Sequence, residues 1–320
     1  MTEKPTVVSL FSGCGGSSLG YKMAGFDVRL AVEWDNNAVA SYKENFPTTT
    51  IYHGDIKKLS IEQALTLAKL KVGELDVLDG SPPCQGFSTA GKRKFNDIRN
   101  RYFEEYVRLL RELCPKAFVM ENVSGMVKGK MRLIFVEALK MLKESGYIVS
   151  VRVLNSKWYG VPQSRQRTIF IGIRSELKIN VTHPKPSSKP ISARTALKDI
   201  VPEAIYELTD KPGKLWHKIK NGKSAQSVIG TEYNVSCLKI NPNKPSNTIC
   251  KTQGFKGYAT LCHWEQPRAI SVNEAKALQS FPKDFRLMGT KEQQWAMIGN
   301  SVPPVFMKAI AEHVRGLLSV

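Results

Sequence analysis

Along the first half of the chain, short apolar, β-branched runs alternate with segments whose apolar residues recur three and four positions apart. That is the pattern of strands and helices taking turns. Strands are predicted at residues 6–11, 26–32, 49–53, 75–78 and 117–120, with two further ones at 147–154 and 168–173. Helices are predicted from Leu19 through Ala24, over 36–45, 102–113 and 131–145, and near the carboxyl end over 305–318. Leu133, Ile134, Val136, Leu139 and Leu142 form the expected apolar face of the 131–145 helix. Repeated strand–helix units imply an α/β fold with a mostly parallel sheet.

The junctions between elements carry the candidate chemistry. Residues 12–20, Ser-Gly-Cys-Gly-Gly-Ser-Ser-Leu-Gly, turn the first strand into a helix. Glycines at such a turn let the backbone approach a ligand, as in nucleotide-binding units, although Ser18 stands where a strict G-x-G-x-x-G has its third glycine. The second strand ends at Glu33-Trp34-Asp35, well placed for ribose hydroxyls. The third ends at Gly54-Asp55-Ile56, where Asp55 could accept from an adenine amino group while Ile56 packs on the ring. Acids at two successive strand ends behind a glycine turn point to an adenosyl-type ligand.

The fourth strand leads into Asp79-Gly80-Ser81-Pro82-Pro83-Cys84-Gln85-Gly86-Phe87-Ser88. The prolines fix φ and remove ladder donors, so Cys84 is expected on a stiff turn past the carboxyl end of a strand, where open α/β sheets bind ligands. A lone cysteine is more often a small buried hydrophobe; its neighbours argue otherwise. Residues 88–101, with Lys92, Arg93 and Arg99, read as a basic, mobile loop able to grip phosphates. The fifth strand ends in Glu121-Asn122-Val123, and Gln163-Ser164-Arg165-Gln166-Arg167 precedes the last strand of this half. Two apart on an extended segment, Arg165 and Arg167 should point the same way.

From residue 183 the βα rhythm stops. Pro, Ser and Lys crowd 182–190, and short β-like pieces at 227–229, 234–238 and 247–250 are separated by turns. Residues 183–268 hold 14 Lys or Arg against 6 Asp or Glu. This stretch reads as an irregular second domain presenting basic loops to a polyanion. After it, Ser271 and Glu274 have the spacing of a helix-capping box, and Gly299-Asn300-Ser301-Val302-Pro303-Pro304 precedes the last helix.

Charge sharpens the picture. Lys plus Arg is 47 and Asp plus Glu 28 over 320 residues, a net +19, which favours a nucleic-acid partner. The chain has no run of about 18 apolar residues, so no membrane span is expected. Residues 1–5 lead directly into a strand-like run, so no signal peptide is expected. Six cysteines without a C-x-x-C pair argue against a zinc site or a disulfide framework and fit a reducing compartment.

Taken together and in order, the glycine turn, Pro-Pro-Cys-Gln-Gly-Phe-Ser, Glu-Asn-Val, Gln-Ser-Arg-Gln-Arg and terminal Gly-Asn-Ser-Val-Pro-Pro resemble the DNA (cytosine-5)-methyltransferase family of bacterial restriction–modification systems. The resemblance runs from Val7 to about Val314 and leaves only the basic middle uncovered. It implies a Rossmann-like, S-adenosylmethionine-dependent methyltransferase domain plus a smaller, irregular target-recognition domain. The expected division is 1–182 plus 296–320 for catalysis, 183–265 for target recognition and 266–295 as hinge.

The chemistry implied is methyl transfer to carbon 5 of a cytosine flipped out of duplex DNA. Carbon 5 is a poor nucleophile until a thiolate adds at carbon 6, and Cys84 fits that thiolate. Glu121 fits the group that holds a proton at ring nitrogen 3, and Arg165 and Arg167 an arginine clamp on the ring, Arg167 the more direct. By the same resemblance Phe11, Gly13, Gly15, Gly16, Glu33, Trp34, Asp55, Ile56, Asn300 and Ser301 bind S-adenosylmethionine. Trp34 and Ile56 could equally be plain core. Ser88, Lys92, Arg93, Arg99 and Thr248 contact DNA, Thr248-Ile249 matching a recurrent Thr-aliphatic pair of the target-recognition domain. No metal is implied. A cytoplasmic, nucleoid-associated bacterial or archaeal enzyme is expected, a monomer on double-stranded DNA, paired in function with a restriction endonuclease. Two departures stand out: Ser9 where many members have Asp, and Lys276 where Arg is more usual. A tRNA-directed branch and a catalytically silent DNA-binding regulator are the competing readings.

Overall fold

In the computed structural model, residues 3–83, 100–127, 131–230, 237–255 and 260–319 are described. The chain divides into two compact units, one formed by residues 1–155, 166–185 and 306–320, the other by 156–165 and 186–305.

In the first unit the apolar runs become strands because a parallel strand covered on both faces needs apolar residues on both. β1 (Thr6–Leu10) is buried at every position. It is followed by α1 (Gly16–Met23), β2 (Asp27–Glu33), α2 (Asn36–Asn45), β3 (Thr50–His53), α3 (Ile61–Ala68) and β4 (Val77–Gly80). Then come α4 (Asn100–Leu113), β5 (Ala117–Val123), α5 (Arg132–Glu144), β6 (Tyr147–Asn155) and β7 (Gln166–Arg174). The strand order is β3-β2-β1-β4-β5-β7-β6. β1 to β5 pair in parallel, whereas β7 runs antiparallel to both its neighbours. The order reverses between β1 and β4, so their carboxyl ends open the crevice where such sheets take ligands.

The amino ends are pinned by a buried acid. Asp76, just ahead of β4, accepts from the Thr6 amide (2.7 Å) and hydroxyl (3.0 Å) and pairs with Lys116 (2.8 Å). The Thr6 hydroxyl in turn accepts from the Asp76 amide at 3.1 Å.

The second unit is less irregular than its sequence suggests. It contains α6 (Ala193–Leu197), α7 (Asp210–Trp216), α8 (Gln226–Ile229), a parallel pair β8 (Leu238–Lys239) and β9 (Leu261–Cys262), then α9 (Val272–Leu278) and α10 (Lys291–Asn300). It has its own apolar core, with Trp216, Ile240, Ile249, Leu261, Ile270, Trp295 and Ile298 all buried. α11 (Pro304–Leu318) ends the chain, its residues from Phe306 onward belonging to the first unit.

Several expectations are corrected. Residues 227–229, read as β-like, lie in the helix α8: Ser224 and Ala225 offer their carbonyls to the amides of Ser227, Val228 and Ile229, closing helical turns. On α5 the buried face is Ala138 and Leu142, flanked by Ile134, Phe135 and Met141, while Leu133 and Val136 are exposed. The basic stretch expected to reach Arg101 gives way to helix at Asn100. α3 and α10 were not foreseen, though each begins with a capping signal: Ser60 accepts from Gln63, and Thr290 forms a box with Gln293. The boundaries between units also run elsewhere than expected, with 156–165 and 266–305 belonging to the second unit. Among the described residues no helix is long and apolar enough to cross a membrane.

Replacing Asp76 by Ala leaves the buried Thr6 amide without its acceptor, so urea denaturation should show a loss of about 2–3 kcal/mol. A loss within about 0.5 kcal/mol, the range of ordinary surface changes, would show that the contact does not pin β1 to β4.

Candidate active site

Beyond β1 the chain turns sharply. Phe11 adopts a left-handed φ of 55°, uncommon for a bulky side chain. Its ring meets Tyr102 edge-on at 6.2 Å. The Ser12 amide reaches the Val32 carbonyl at 3.1 Å, and the Gly13 amide donates to Glu33 Oε2 at 2.7 Å. Gly15 has φ 99°, and a Cβ there would collide with the Phe46 ring, so the turn admits only glycine. Gly16 then opens α1.

Glu33 is buried at the end of β2 and accepts two more amides on Oε1, from Trp34 (2.8 Å) and Asp35 (3.0 Å). A carboxylate has roughly four lone-pair sites, so these three contacts leave about one for a ligand hydroxyl. Asp55 accepts from the Lys57 amide at 3.1 Å and caps a short helical turn. The two apolar candidates have opposite surroundings: Trp34 is 74% exposed, whereas Ile56 is 4% exposed within the core.

A second group joins β4, β5 and β7. Asn122 donates its amide nitrogen to the Pro82 carbonyl at 3.1 Å and accepts from the Val123 amide at 2.8 Å, tying the end of β5 to the proline turn. Val123 lies opposite Arg167 in the β5–β7 ladder and Glu121 two residues back, so both of these side chains share one face. There Arg167 Nε meets Glu121 Oε1 at 2.6 Å, both side chains largely buried. Arg167 also donates to the Gln166 carbonyl at 2.8 Å. Cys84, Ser88, Lys92, Arg93 and Arg99 lie outside the described residues.

Arg165 differs from Arg167. It is 2% exposed, and its two terminal nitrogens donate to the carbonyls of Ile249 (2.9 Å) and Gly299 (2.8 Å). The two arginines, expected to point together, serve different partners: β7 begins between them at Gln166, and only Arg167 stands in its ladder. In the second unit Thr248 donates its hydroxyl to the Ser164 carbonyl at 2.8 Å. Asn300, at the end of α10, is exposed; Ser301 is buried and donates to Met297.

One residue that sequence reasoning passed over is Asp79. It is 2% exposed and accepts from the Ser9 hydroxyl at 3.0 Å, its partner across the β1–β4 ladder. Burial raises its pKa to about 7, against the opposing effect of the Ser9, Ser17 and Tyr21 hydroxyls. The signal was the Ser9 departure itself: an acid is absent from β1 and present at the paired position of β4. The second departure, Lys276, donates to the Lys283 carbonyl at 2.9 Å. Among the described residues no group of three or more His, Cys, Asp or Glu could hold a metal ion.

The sequence profile of the C-5 cytosine-specific DNA methylases matches residues 5–316. The chain is 36% identical to the type II methyltransferase M1.HphI of Haemophilus parahaemolyticus, over 97% of this chain and 86% of the relative. It is 32% identical to M.NgoPII of Neisseria gonorrhoeae, over 98% and 96% respectively. Among solved structures, a prophage-encoded protein of E. coli assigned as a DNA modification methyltransferase superposes with a TM-score of 0.81 at 26% identity, over 99% of this chain and 100% of that one. Spodoptera frugiperda DNMT2 shares the fold, with a TM-score of 0.72 at 22% identity over 98% of this chain and 100% of that one. The fold is that of a methyltransferase. The chain belongs to the C-5 cytosine-specific DNA methylase family and is a DNA (cytosine-5)-methyltransferase.

Asp79 yields a pH test. Its folded pKa lies above the ordinary carboxylate value, so the folded state loses stability as pH rises from about 4 to about 7 and does not regain it above. Asp79→Asn removes that titration. Its melting temperature relative to wild type should be higher at pH 8 than at pH 5, and an equal offset at both would refute the assignment.

Proposed function

We propose that the protein transfers a methyl group from S-adenosylmethionine to carbon 5 of a flipped-out cytosine in a specific duplex sequence, through a covalent bond between Cys84 and carbon 6. What supports this most is the joined set at the ends of β4, β5 and β7. Asn122 holds the proline turn that leads to Cys84, and the neighbouring Glu121 is held by Arg167. Cys84 adds to carbon 6 as its thiolate, and Glu121, carrying a proton, donates it to ring nitrogen 3 as negative charge develops and takes it back when the ring re-forms. Arg167 orients Glu121 and stabilises the ring oxygen. Carbon 5 then takes the methyl group, its proton leaves to a base or water, and the thiolate is expelled.

S-adenosylmethionine, when bound, supplies an electrophilic methyl group. Glu33 would hold it by one ribose hydroxyl, with the Gly13–Gly16 turn beneath its methionine end, Phe11 and Trp34 beside the adenine, and Asp55 at the adenine amino group. Ile56 supports this wall from the core.

The target base lies inside the duplex stack, so it must be extruded before Cys84 can reach it. Ser88, Lys92, Arg93 and Arg99 grip phosphates, and Thr248 with the basic second unit reads the sequence from the major groove. The type II relatives support pairing with a restriction endonuclease that the methylation blocks, in a bacterial or archaeal cytoplasm, with one protein molecule per site.

Tritiated S-adenosylmethionine should label duplex DNA and leave tRNA unlabelled; label in tRNA alone, or in neither, would sink this reading. Cys84→Ser should abolish transfer, and normal turnover by that variant would exclude the covalent route. Arg167→Ala should lower kcat by roughly 10²–10³, the usual size of one lost transition-state donor, with a far smaller change in KM for DNA; a change confined to KM would exclude a ring contact.

A further inference from the structure

Three stretches far apart in sequence meet in the core of the second unit: residues 163–165, 248–251 and 298–301. Gln163 accepts from the Ile249 amide at 3.0 Å and donates to the Gln279 side-chain oxygen. Gln279 donates to the carbonyls of Ile298 (3.1 Å) and Ser301 (2.8 Å). The Ser164 amide donates to Ser246 at 2.8 Å, and its carbonyl takes the Thr248 hydroxyl. Arg165 spans Ile249 and Gly299. Trp295 donates its indole N–H to the Cys250 carbonyl at 2.9 Å. Gly299 approaches the Cys250–Lys251 main chain so closely that a Cβ would collide with the Cys250 carbonyl.

The packing is close enough to have functional meaning. A buried guanidinium is tolerated only where its donors are met, so Arg165 makes the spacing between Ile249 and Gly299 costly to change. Thr248 is held likewise. Its single hydroxyl proton is spent on Ser164, leaving it lone pairs and a methyl group for any other partner. Gly299 and Ser301 stand at the end of α10, so one contact set constrains both the Thr248–Ile249 pair and that helix end.

We infer that Arg165 is a positioning residue for sequence discrimination, locking the Thr248–Ile249 strip to the carboxyl end of α10 within the second unit. The inference rests on the function proposed above. It removes Arg165 from the ring clamp and leaves that role to Arg167. It also gives Gly299 a reason to be glycine that no turn requires.

The test uses the purified full chain. The methylated sequence is first read from bisulfite conversion of a plasmid modified in vivo. Wild type, Arg165→Met, Arg165→Lys, Gly299→Ala and the milder Trp295→Phe are then compared on duplexes carrying that sequence and on duplexes with one base pair of that sequence, other than the target pair, changed. The readout is the ratio of kcat/KM between the two duplexes; general destabilisation leaves that ratio unchanged. Arg165→Met and Gly299→Ala should each lower discrimination roughly tenfold, the size of one lost base-edge contact. Arg165→Lys should recover part of the ratio, and Trp295→Phe should move it in the same direction by less. If either strong variant fails to fold, Trp295→Phe and the other carry the comparison. Unchanged discrimination in the folded variants, or a loss in Arg165 variants confined to kcat and equal on both duplexes, as expected for Arg167→Ala, would overturn the inference. A wild type that methylates no duplex DNA would instead overturn the function on which it rests.

Discussion

Glu33 is the contact on which the carboxyl edge of the first unit's sheet depends. β2 is paired on both sides, and where it ends the following amides lose their ladder partners. An amide left unmet costs on the order of 1–3 kcal/mol when buried and less where water can reach it, so an acceptor for these part-buried amides stabilises the strand end. Glu33 supplies one and collects the amides of Gly13, Trp34 and Asp35. In doing so it ties the glycine turn after β1 to the end of β2. Asn122 does the comparable work between β5 and the proline turn. Asp76 serves the amino ends, joining Thr6 to the approach to β4. Apolar runs fill the sheet, and a few polar side chains at its margins set where each loop leaves.

The same economy governs the second unit, with a cation in place of an acid. The guanidinium of Arg165 is buried against two carbonyls. Arg167, two residues on, is bound to Glu121 instead. Two arginines of one motif thus have different partners, one bonded to main-chain carbonyls and one to a carboxylate. The Arg268–Glu274 pair, nearly fully buried at 2.8 Å, holds the start of α9 in a related way, since Glu274 also receives the Ser271 amide.

Much of this was legible beforehand. Parallel strands announce themselves because both faces are buried, which is why the runs of β1, β2, β4 and β5 stood out. The Ser271–Glu274 box was readable because capping is local, depending on residues three apart. What misled was local ambiguity. Ser227-Val228-Ile229 has the composition of a strand, and only the carbonyls at Ser224 and Ala225 close it into a helix. Leu133 and Val136 fit a helical period as well as Phe135 does, yet the helix turns them outward.

The sequence by itself determined the α/β class, the order of the motifs and, through their resemblance, the chemistry expected of Glu121, Arg167 and Glu33. These depend on short-range signals: apolar periodicity, strand-end punctuation and the residue types a reaction requires. Only the tertiary structure decided that Arg165 braces Ile249 and Gly299, that Asp79 answers Ser9 across the ladder, and that Ile56 belongs to the core while Trp34 faces solvent. The reason is physical. A side chain's type states which bonds it can make, but which partner lies within 3 Å depends on how distant segments pack, and no local pattern encodes that.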